Sequence, residues 1–321
     1  MNASSDTATP GTALVTGGAG LIGSHLAEAL RAEGRRVRVL DDLSSGHRRN
    51  LPGEVELVEA SIEDEAAVRS AVAGCDTVFH LAAEVSVPRT MEDPRRAFAI
   101  NLTGTETVFR AAGEAGVRSV VFASSAAVYG PTPSLPSRET DPFDCASPYA
   151  AHKASGELLL QSYGRRDGFH AASLRFFNVF GPRQDPSSAY AAVISAFIEA
   201  AIADRRPTVF GDGSQTRDFV PVANVVQALR LAAEPTRGLD GAAFNVGLGE
   251  RRSLLDLLKA LGEAAGRDLA PEFRPPRSGD VPHSCAAIGR ARDTLGYAPD
   301  VGFEEGLRRT FEWANEATSP S

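Results

Sequence analysis

A tyrosine and a lysine four residues apart are the first candidates for chemistry in this sequence. Tyr149 and Lys153 follow Ser147 and Pro148, which are a preferred N-cap and a preferred first helical residue, so the sequence predicts both side chains on one face at the start of a helix. A lysine ammonium and the positive end of a helix both favour a phenolate. Lowering a phenol pKa from about 10 to near neutrality takes about 4 kcal/mol, more than one cation supplies in water, and an oxidised nicotinamide would add the missing positive charge. The alternative is an exposed i, i+4 pair without chemistry.

A glycine-rich turn near the start of the chain could bind such a cofactor. The apolar run 13–15 is followed by a turn that contains Gly17, Gly20 and Gly23, and helix-forming residues come directly after it. This order of strand, turn and helix is typical of dinucleotide binding, with the diphosphate on the helix N-terminus. Two registers fit, one beginning at Gly17 and one at Gly18, and a glycine-rich turn can also occur without a ligand.

The end of the next predicted strand carries the acidic residues that a ribose requires. Asp41 and Asp42 follow the strand 36–40, about twenty residues after the turn, where a carboxylate accepts hydrogen bonds from ribose hydroxyls. A carboxylate repels a 2′-phosphate, so the sequence favours NAD over NADP. The basic residues at 47–49 are interpreted mainly as a solvated loop.

A further predicted strand, 119–123, is followed by Ser124 and Ser125. We expect the hydroxyl of Ser125 to lie in the same crevice. With these elements in place, the chain resembles the extended short-chain dehydrogenases/reductases, specifically the NAD-dependent nucleotide-sugar epimerases and dehydratases. The resemblance runs from Leu14 to about Trp313 and is most like bacterial 4-epimerases of UDP-N-acetylhexosamines or UDP-glucose. It rests on these motifs, in chain order: Thr16-Gly17-x-x-Gly20-x-x-Gly23, Asp41, His80-Leu81-Ala82-Ala83, Asn101, Ser124-Ser125-x-x-Val128-Tyr129-Gly130, Tyr149-x-x-x-Lys153, Arg175-Phe176-Phe177-Asn178-Val179-Phe180-Gly181-Pro182 and Arg217-Asp218-Phe219-Val220.

The resemblance implies a catalytic role for three residues. Tyr149 would be the general base at the sugar C4 hydroxyl, Lys153 would hold the nicotinamide ribose and lower the tyrosine pKa, and Ser125 would hydrogen-bond the reacting hydroxyl. NAD would be retained, since the hydride leaves and returns within one turnover.

The same resemblance implies two sets of binding residues. The expected NAD contacts are Gly17, Gly20, Leu21, Ile22, Gly23, Asp41, Asp42, Ser61, Ile62, Leu81, Ala82, Ala83, Asn101, Tyr149, Lys153 and Phe176. The expected UDP-sugar contacts are Glu84, Ser125, Asn178, Ala192, Val193, Phe197, Arg217, Arg277, Asp280 and Ser284. Ordinary core packing is the alternative for Ala192, Val193 and Phe197, and Ser61 departs from the family's usual aspartate at that position.

The reaction that follows C4 oxidation is predicted from what comes after Ser125. Relatives that eliminate water or decarboxylate keep a carboxylate there, whereas this chain has Ala126 and Ala127, so 4-epimerisation is expected. Glu84 leaves an alternative open, because an acid/base at the crevice edge would allow a dehydratase or 5-epimerase. The small Ser284 favours an N-acetylhexosamine, although enzymes acting on UDP-glucuronate or UDP-glucose also carry small residues there. A catalytically silent NAD-binding regulator is a more distant alternative.

Composition and net charge limit the remaining classes of function. The chain has 321 residues and a net charge of −8, which argues against nucleic-acid binding, and it has no apolar stretch of membrane-spanning length. Three widely spaced cysteines favour reduced thiols in a cytoplasmic protein without a metal site.

Alternating strand and helix signals predict a doubly wound parallel α/β (Rossmann) sheet over 11–180, to which a segment near 217–247 returns, with a smaller substrate-binding domain over 181–321. Residues 1–10 are expected to be a disordered tail. The resemblance also implies a homodimer formed through the helices 94–115 and 148–163.

Overall fold

The structure, a computed structural model, describes residues 11–130, 135–184, 193–235, 238–276 and 281–318; the predicted tail 1–10 lies outside them. The strands are β1 (Thr12–Thr16), β2 (Arg36–Asp41), β3 (Glu56–Glu59), β4 (Cys75–His80), β5 (Ser119–Ser125), β6 (His170–Phe176), β7 (Asn178–Phe180), β8 (Thr208–Phe210), β9 (Thr216–Arg217), β10 (Phe219–Pro221), β11 (Ala242–Val246), β12 (Arg252–Ser253) and β13 (Glu272–Arg274). The α-helices are α1 (Leu21–Ala32), α2 (Glu65–Val72), α3 (Val87–Glu92), α4 (Pro94–Phe98), α5 (Thr105–Glu114), α6 (Pro148–Asp167), α7 (Val193–Ile202), α8 (Val222–Ala232), α9 (Leu254–Ala265), α10 (Gly289–Leu295) and α11 (Phe303–Thr318).

Seven parallel strands form the central sheet, in the order β11-β6-β5-β4-β1-β2-β3. All five residues of β1 are buried, as expected of a strand in the middle of a sheet covered on both faces. The order reverses at β1, whose neighbours are β2 and β4. In open α/β sheets, such a switch point creates a crevice at the carboxyl ends of the strands. The predicted α/β fold is confirmed.

Strand register brings the predicted site residues to this one edge. Thr16 at the end of β1 is opposite His80 at the end of β4, and Ser125 at the end of β5 is opposite Phe176 at the end of β6. A turn follows β1, a short 3₁₀ helix follows β5, and strand β7 follows β6 after a single residue.

Apolar side chains cover both faces of the sheet. Leu26 and Leu30 of α1 pack with Val225 and Leu229 of α8 on one face. The other face is covered by helices α2, α5 and α6, which contribute Val68, Val108, Phe109 and Leu160. A third core joins Phe180, Phe197, Leu257, Phe303 and Leu307 from β7 and helices α7, α9 and α11.

The long helix predicted over 94–115 is not uniform. It consists of α4, a π-helical turn over Ala99–Gly104, and α5. Within that turn the Asn101 side chain hydrogen-bonds both backbone groups of Glu84, and Thr105 Oγ1 donates to the Asn101 carbonyl oxygen at 2.8 Å. Wide turns of this kind occur at functional sites, where an extra residue turns a side chain inward.

Candidate active site

Helix α6 begins as the sequence predicts. Ser147 is the N-cap, its hydroxyl accepts from the Ala150 N–H at 3.2 Å, and Pro148 is the first helical residue. Tyr149 and Lys153 therefore lie one turn apart on the face that packs against the end of β5.

Lys153 is deeply buried. Its side chain is 4% exposed, and its Nζ donates to the Ala123 carbonyl oxygen at 2.7 Å. Nζ also lies 5.8 Å from the centroid of the Tyr149 ring. Burial lowers the Lys153 pKa to about 7, opposed by the negative charge of Glu157. The interpretation as an exposed surface pair is therefore wrong.

Ser125 presents its hydroxyl to Tyr149. The Ser125 Oγ accepts from the Ala127 N–H at 3.1 Å and caps the short 3₁₀ helix Ala126–Tyr129. Burial raises the pKa of Tyr149, and its hydrogen bond with Ser125 lowers it. The phenol thus needs a further positive charge before it can act as a base near neutral pH, as the free energy of lowering its pKa indicates.

The glycine turn is shaped by close backbone approaches. Gly17 has φ +67°, and a Cβ there would lie 2.8 Å from the Ala82 nitrogen. At Gly23 a Cβ would lie 2.3 Å from the Gly17 carbonyl oxygen, because α1 packs directly on the turn. Gly17, and not Gly18, has the left-handed backbone that a tight turn requires.

The first turn of α1 fits the diphosphate of NAD. Among the described residues, no side chain caps α1 at Gly20, and the first turn contains no acidic residue. A Cβ at Gly20 would meet only the Gly17 oxygen, at 3.4 Å, so the fold itself leaves this space open. Leu21 and Ile22 begin the helix there, and their N–H groups face an anion-binding position.

Asp41 and Asp42 differ in what their carboxylates do. Asp41 is buried and accepts from the Ala19 and Leu43 N–H groups, both at 2.9 Å, while burial raises its pKa. Each of its oxygens keeps a lone pair for a ribose hydroxyl. Asp42 is exposed and its Oδ1 binds the Ser44 N–H and hydroxyl within its own turn. Asp41 is the better placed ribose partner.

The floor of the crevice is a chain of hydrogen bonds from β1 to the π-helical turn. Thr16 Oγ1 accepts from the N–H groups of Leu81 and Ala82, both at 3.2 Å, and pairs with His80 Nδ1 at 2.7 Å. His80 Nε2 lies 2.9 Å from Thr105 Oγ1. Burial lowers the His80 pKa to about 3, so the ring is neutral. Since Thr16 accepts twice, its hydroxyl donates to Nδ1, which places the ring proton on Nε2.

Other predicted cofactor residues lie around this floor. Ala83 is half-buried and continues the chain after Ala82, and Phe176 is buried at the end of β6. Ile62 packs against Gly104 in the π-helical turn. The hydroxyl of Ser61 donates to the Glu63 carboxylate and accepts from the Glu63 N–H, both at 3.2 Å, so its hydrogen bonds are local.

Glu84 is engaged within its own loop. Its Oε1 accepts from the Ser86 N–H at 2.9 Å, and its Oε2 lies 3.6 Å from Arg89 Nη1. Its backbone is fixed by Asn101, which is buried. The carboxylate is therefore held by local donors at the crevice edge.

The predicted substrate residues lie around β7 and β9. The Asn178 side chain is exposed on β7, and Arg217 on β9 donates from Nη1 to the Thr216 and Pro282 carbonyl oxygens at 3.0 and 3.4 Å. Ser284 is joined to the same strand through the Thr216 carbonyl oxygen. Phe197 is 1% exposed within the C-terminal core, with Val193 packed beside it, so core packing is what the structure shows for Phe197. Ala192, Arg277 and Asp280 lie outside the described residues.

Sequence interpretation missed a buried polar network around Arg175. Arg175 Nη1 donates to the Tyr129 hydroxyl at 2.9 Å, which donates to Asn245 Oδ1 at 2.6 Å. Glu157 pairs with Arg175 in the same interior. The available signal was position: Glu157 follows Lys153 by four residues, which puts a carboxylate on the catalytic face of the helix.

Two kinds of feature are absent from the described residues. No helix there is long and apolar enough to cross a membrane. In the same part of the chain, no group of three or more His, Cys, Asp or Glu side chains is arranged to bind a metal ion.

Comparison with known proteins decides the family. Residues 13–247 match the profile of the NAD dependent epimerase/dehydratase family. The chain belongs to this family. Its members depend on NAD, so the predicted family, enzyme class and cofactor are confirmed.

Individual members of the family are similar over nearly their whole length. UDP-glucose 4-epimerase of Mycolicibacterium smegmatis is 43% identical over 308 residues, covering 94% of this chain and 97% of the relative. Among solved structures, UDP-N-acetylglucosamine 4-epimerase from Methanobrevibacter ruminantium, in complex with UDP-N-acetylmuramic acid, has a TM-score of 0.92 and 37% identity, covering 97% of this chain and all of that one. UDP-glucose 4-epimerase of Thermus thermophilus, in complex with NAD, has a TM-score of 0.87 and 38% identity, covering 96% and 100%.

Proposed function

We propose that the chain catalyses NAD-dependent 4-epimerisation of a UDP-sugar, either the UDP-GlcNAc/GalNAc or the UDP-glucose/galactose pair. The observation that carries the proposal is the arrangement of Ser125, Tyr149 and buried Lys153 at the carboxyl edge of the sheet. Two relatives that share more than a third of their residues with this chain are 4-epimerases by name.

The chain's own groups move and orient the proton of the C4 hydroxyl. Tyr149 takes that proton during oxidation and returns it during reduction, while Ser125 orients the hydroxyl. Lys153 supplies positive charge next to the phenol and a donor for the nicotinamide ribose. NAD, when bound, supplies the hydride acceptor at C4 and gives the hydride back to either face of the keto sugar.

The diphosphate of the substrate would lie against Asn178, Arg217 and Arg277. The two arginines give an acidic chain the local positive charge that an anionic substrate needs. Asp280 and Ser284 would border the sugar, and Ala192 and Val193 the uracil, whereas Phe197 packs in the core. The small Ser284 leaves space for an N-acetyl group beside C2.

Epimerisation is favoured over water elimination by the residues that follow Ser125. Ala126 and Ala127 offer no acid or base at C5, and the Glu84 carboxylate is held by the Ser86 N–H and Arg89. Without a proton acceptor at C5, rotation of the 4-keto sugar and hydride return is the remaining course.

We further propose a cytoplasmic homodimer with no nucleic-acid or membrane partner. The outer surface of α6 exposes Leu158 at 60%, and Phe98 at the end of α4 is 51% exposed. A groove between the π-helical turn and α6 is lined mainly by apolar atoms, including Leu102 and Leu159. A second copy of the chain would cover this surface. The proposed division into a cofactor domain (11–180, joined by a segment near 217–247) and a mainly substrate-binding part (181–321) is testable by limited proteolysis.

The direct test is turnover in heavy water. UDP-GlcNAc, UDP-glucose, UDP-glucuronate and dTDP-glucose are each incubated with the enzyme, and products are separated and weighed by mass spectrometry. We expect a C4 epimer of unchanged mass from a UDP-hexose, and turnover that is about 10²–10⁴-fold slower in Tyr149→Phe. A product lighter by one water, or deuterium at C5, would show a dehydratase or 5-epimerase, and exchangeable NAD without any turnover would favour a regulator.

A further inference from the structure

A buried ion pair is formed by a carboxylate on the catalytic face of α6. Glu157 and Arg175 are 6% and 4% exposed, and the guanidinium meets the carboxylate with two bonds, Nη2 to Oε2 at 2.7 Å and Nε to Oε1 at 2.9 Å. Glu157 lies one helical turn after Lys153 and two turns after Tyr149. All three side chains therefore project from one face of α6.

The Glu157 carboxylate joins α6 to both strands that carry the site. Ser124 Oγ, at the end of β5, donates to Glu157 Oε1 at 2.5 Å, next to the Ser125 hydroxyl. Lys153 Nζ binds the carbonyl oxygen of Ala123, one residue earlier on the same strand. Arg175 comes from β6, immediately before Phe176, which is opposite Ser125. One carboxylate thus fixes where α6 lies along the ends of β5 and β6.

The same carboxylate is the negative charge that acts on the Lys153 ammonium. Charged or titratable neighbours include Tyr149 and His152 on α6, neutral His80 on β4, and Arg175 on β6. Burial lowers the pKa of Lys153, and Glu157 raises it. Two interior cations, Lys153 and Arg175, therefore share one counter-ion.

We propose that Glu157 is a positioning residue of the reaction, which sets the approach of Tyr149 to Ser125 and supplies the counter-charge of the Lys153 ammonium. The inference rests on the proposed 4-epimerase function. The Glu157 carboxylate is buried and bound by Ser124 and Arg175, so Glu157 acts through Lys153 and not on the substrate.

The chain allows a direct measurement of this effect, because it contains two lysines, buried Lys153 and exposed Lys259. Protein labelled with ¹³C at the lysine side chains would give two resonances, and Lys259 would be the internal reference. The titration midpoint of Lys153 is then followed by NMR without any turnover. We expect Glu157→Gln to lower this midpoint by about one pH unit or more, since the attractive charge is lost.

Kinetics provide the second readout. In Glu157→Gln we expect kcat to fall about tenfold or more while the KM for the UDP-sugar stays within about threefold. The alkaline limb of the kcat profile moves to lower pH, because Lys153 loses its proton earlier. Glu157→Asp, which keeps the charge, should restore the pH profile in part.

Controls separate charge from general loosening of the interior. Tyr129→Phe removes a different hydrogen bond to Arg175, and Ser124→Ala removes the tie to β5 while the carboxylate remains. Both should leave the Lys153 midpoint unchanged. Since Glu157→Gln leaves Arg175 without its counter-ion and can unfold the protein, the double variant Glu157→Gln/Arg175→Met removes both charges and is measured in parallel.

The outcomes are distinct. An unchanged Lys153 midpoint and pH profile in folded Glu157→Gln or in the double variant would overturn the inference, as would an equal shift in Tyr129→Phe. Absence of turnover by the wild-type enzyme with every UDP-sugar would instead refute the proposed function, and the NMR titration would still report on Glu157.

Discussion

The glycine turn and helix α6 meet at the same edge of the sheet, yet they are specified differently. At Gly17 and Gly23 the backbone atoms of neighbouring segments lie closer than 3 Å to where a Cβ would be, so the turn is specified by the space that side chains would fill. Helix α6 is held in place by buried charges whose partners lie on β5 and β6. The first region is sensitive to atom size and the second to charge, so different substitutions should damage them.

The largest effect is expected on the chemical side, from Tyr149→Phe. Loss of the phenolic oxygen removes the proton acceptor and should lower kcat by about 10²–10⁴-fold without unfolding the protein. Turnover and thermal stability are the measurements. Tyr163→Phe is the matched control, because Tyr163 lies on the same helix but hydrogen-bonds Glu106. Activity within tenfold of wild type in Tyr149→Phe would show that another group is the base.

Within the glycine turn, an added methyl group should reduce stability most at Gly23. A Cβ there would lie 2.3 Å from the Gly17 carbonyl oxygen, so Gly23→Ala should lower the free energy of unfolding by about 3 kcal/mol. Gly20→Ala should leave the stability of cofactor-free protein within about 1 kcal/mol of wild type but weaken NAD binding tenfold or more, since its space faces the diphosphate. Gly53→Ala, at a glycine with open space around it, is the control. Equal losses of stability at positions 20 and 23 would contradict the steric account.

The buried ammonium of Lys153 should lower the free energy of unfolding. Its folded pKa of about 7 lies below the ordinary value of 10.5, so between these values the unfolded state binds more protons and the free energy of unfolding rises with pH. Cofactor-free Lys153→Met should therefore be more stable than wild type by about 1–2 kcal/mol at pH 6, although inactive, and the gap should narrow toward pH 10. Urea unfolding at several pH values measures this, with Lys259→Met as the exposed control. A variant less stable than wild type at pH 6 would show that the Ala123 hydrogen bond outweighs the burial of charge.

The smallest effect is expected at Glu84, which belongs to neither region. Because its carboxylate is held by Ser86 and Arg89, Glu84→Gln should change C4 epimerisation by only a few-fold, and solvent deuterium should not enter at C5 in either protein. Mass spectrometry of the product in heavy water gives the result. Wild-type incorporation at C5 that the variant loses would identify Glu84 as a base.

The same contrast explains how much the sequence could predict. Gly23 meets Gly17 and Gly18 of its own turn, and Ser147 caps its own helix, so local patterns predicted both. The partners of Glu157 lie 33 and 18 residues away, and only strand register brings them together. The π-helical turn also escaped prediction, because hydrophobic periodicity does not reveal one extra residue in a turn. Residue roles in substrate binding rest on the resemblance and remain predictions.

The contrast between the two lysines has a practical consequence for labelling the folded protein. Amine-reactive reagents should modify exposed Lys259 on α9, apart from the α-amino group, while Lys153 is shielded by burial and its bond to Ala123. A second modified lysine would appear only in molecules whose interior has opened. Counting labels per chain by mass would therefore measure how often the catalytic core opens.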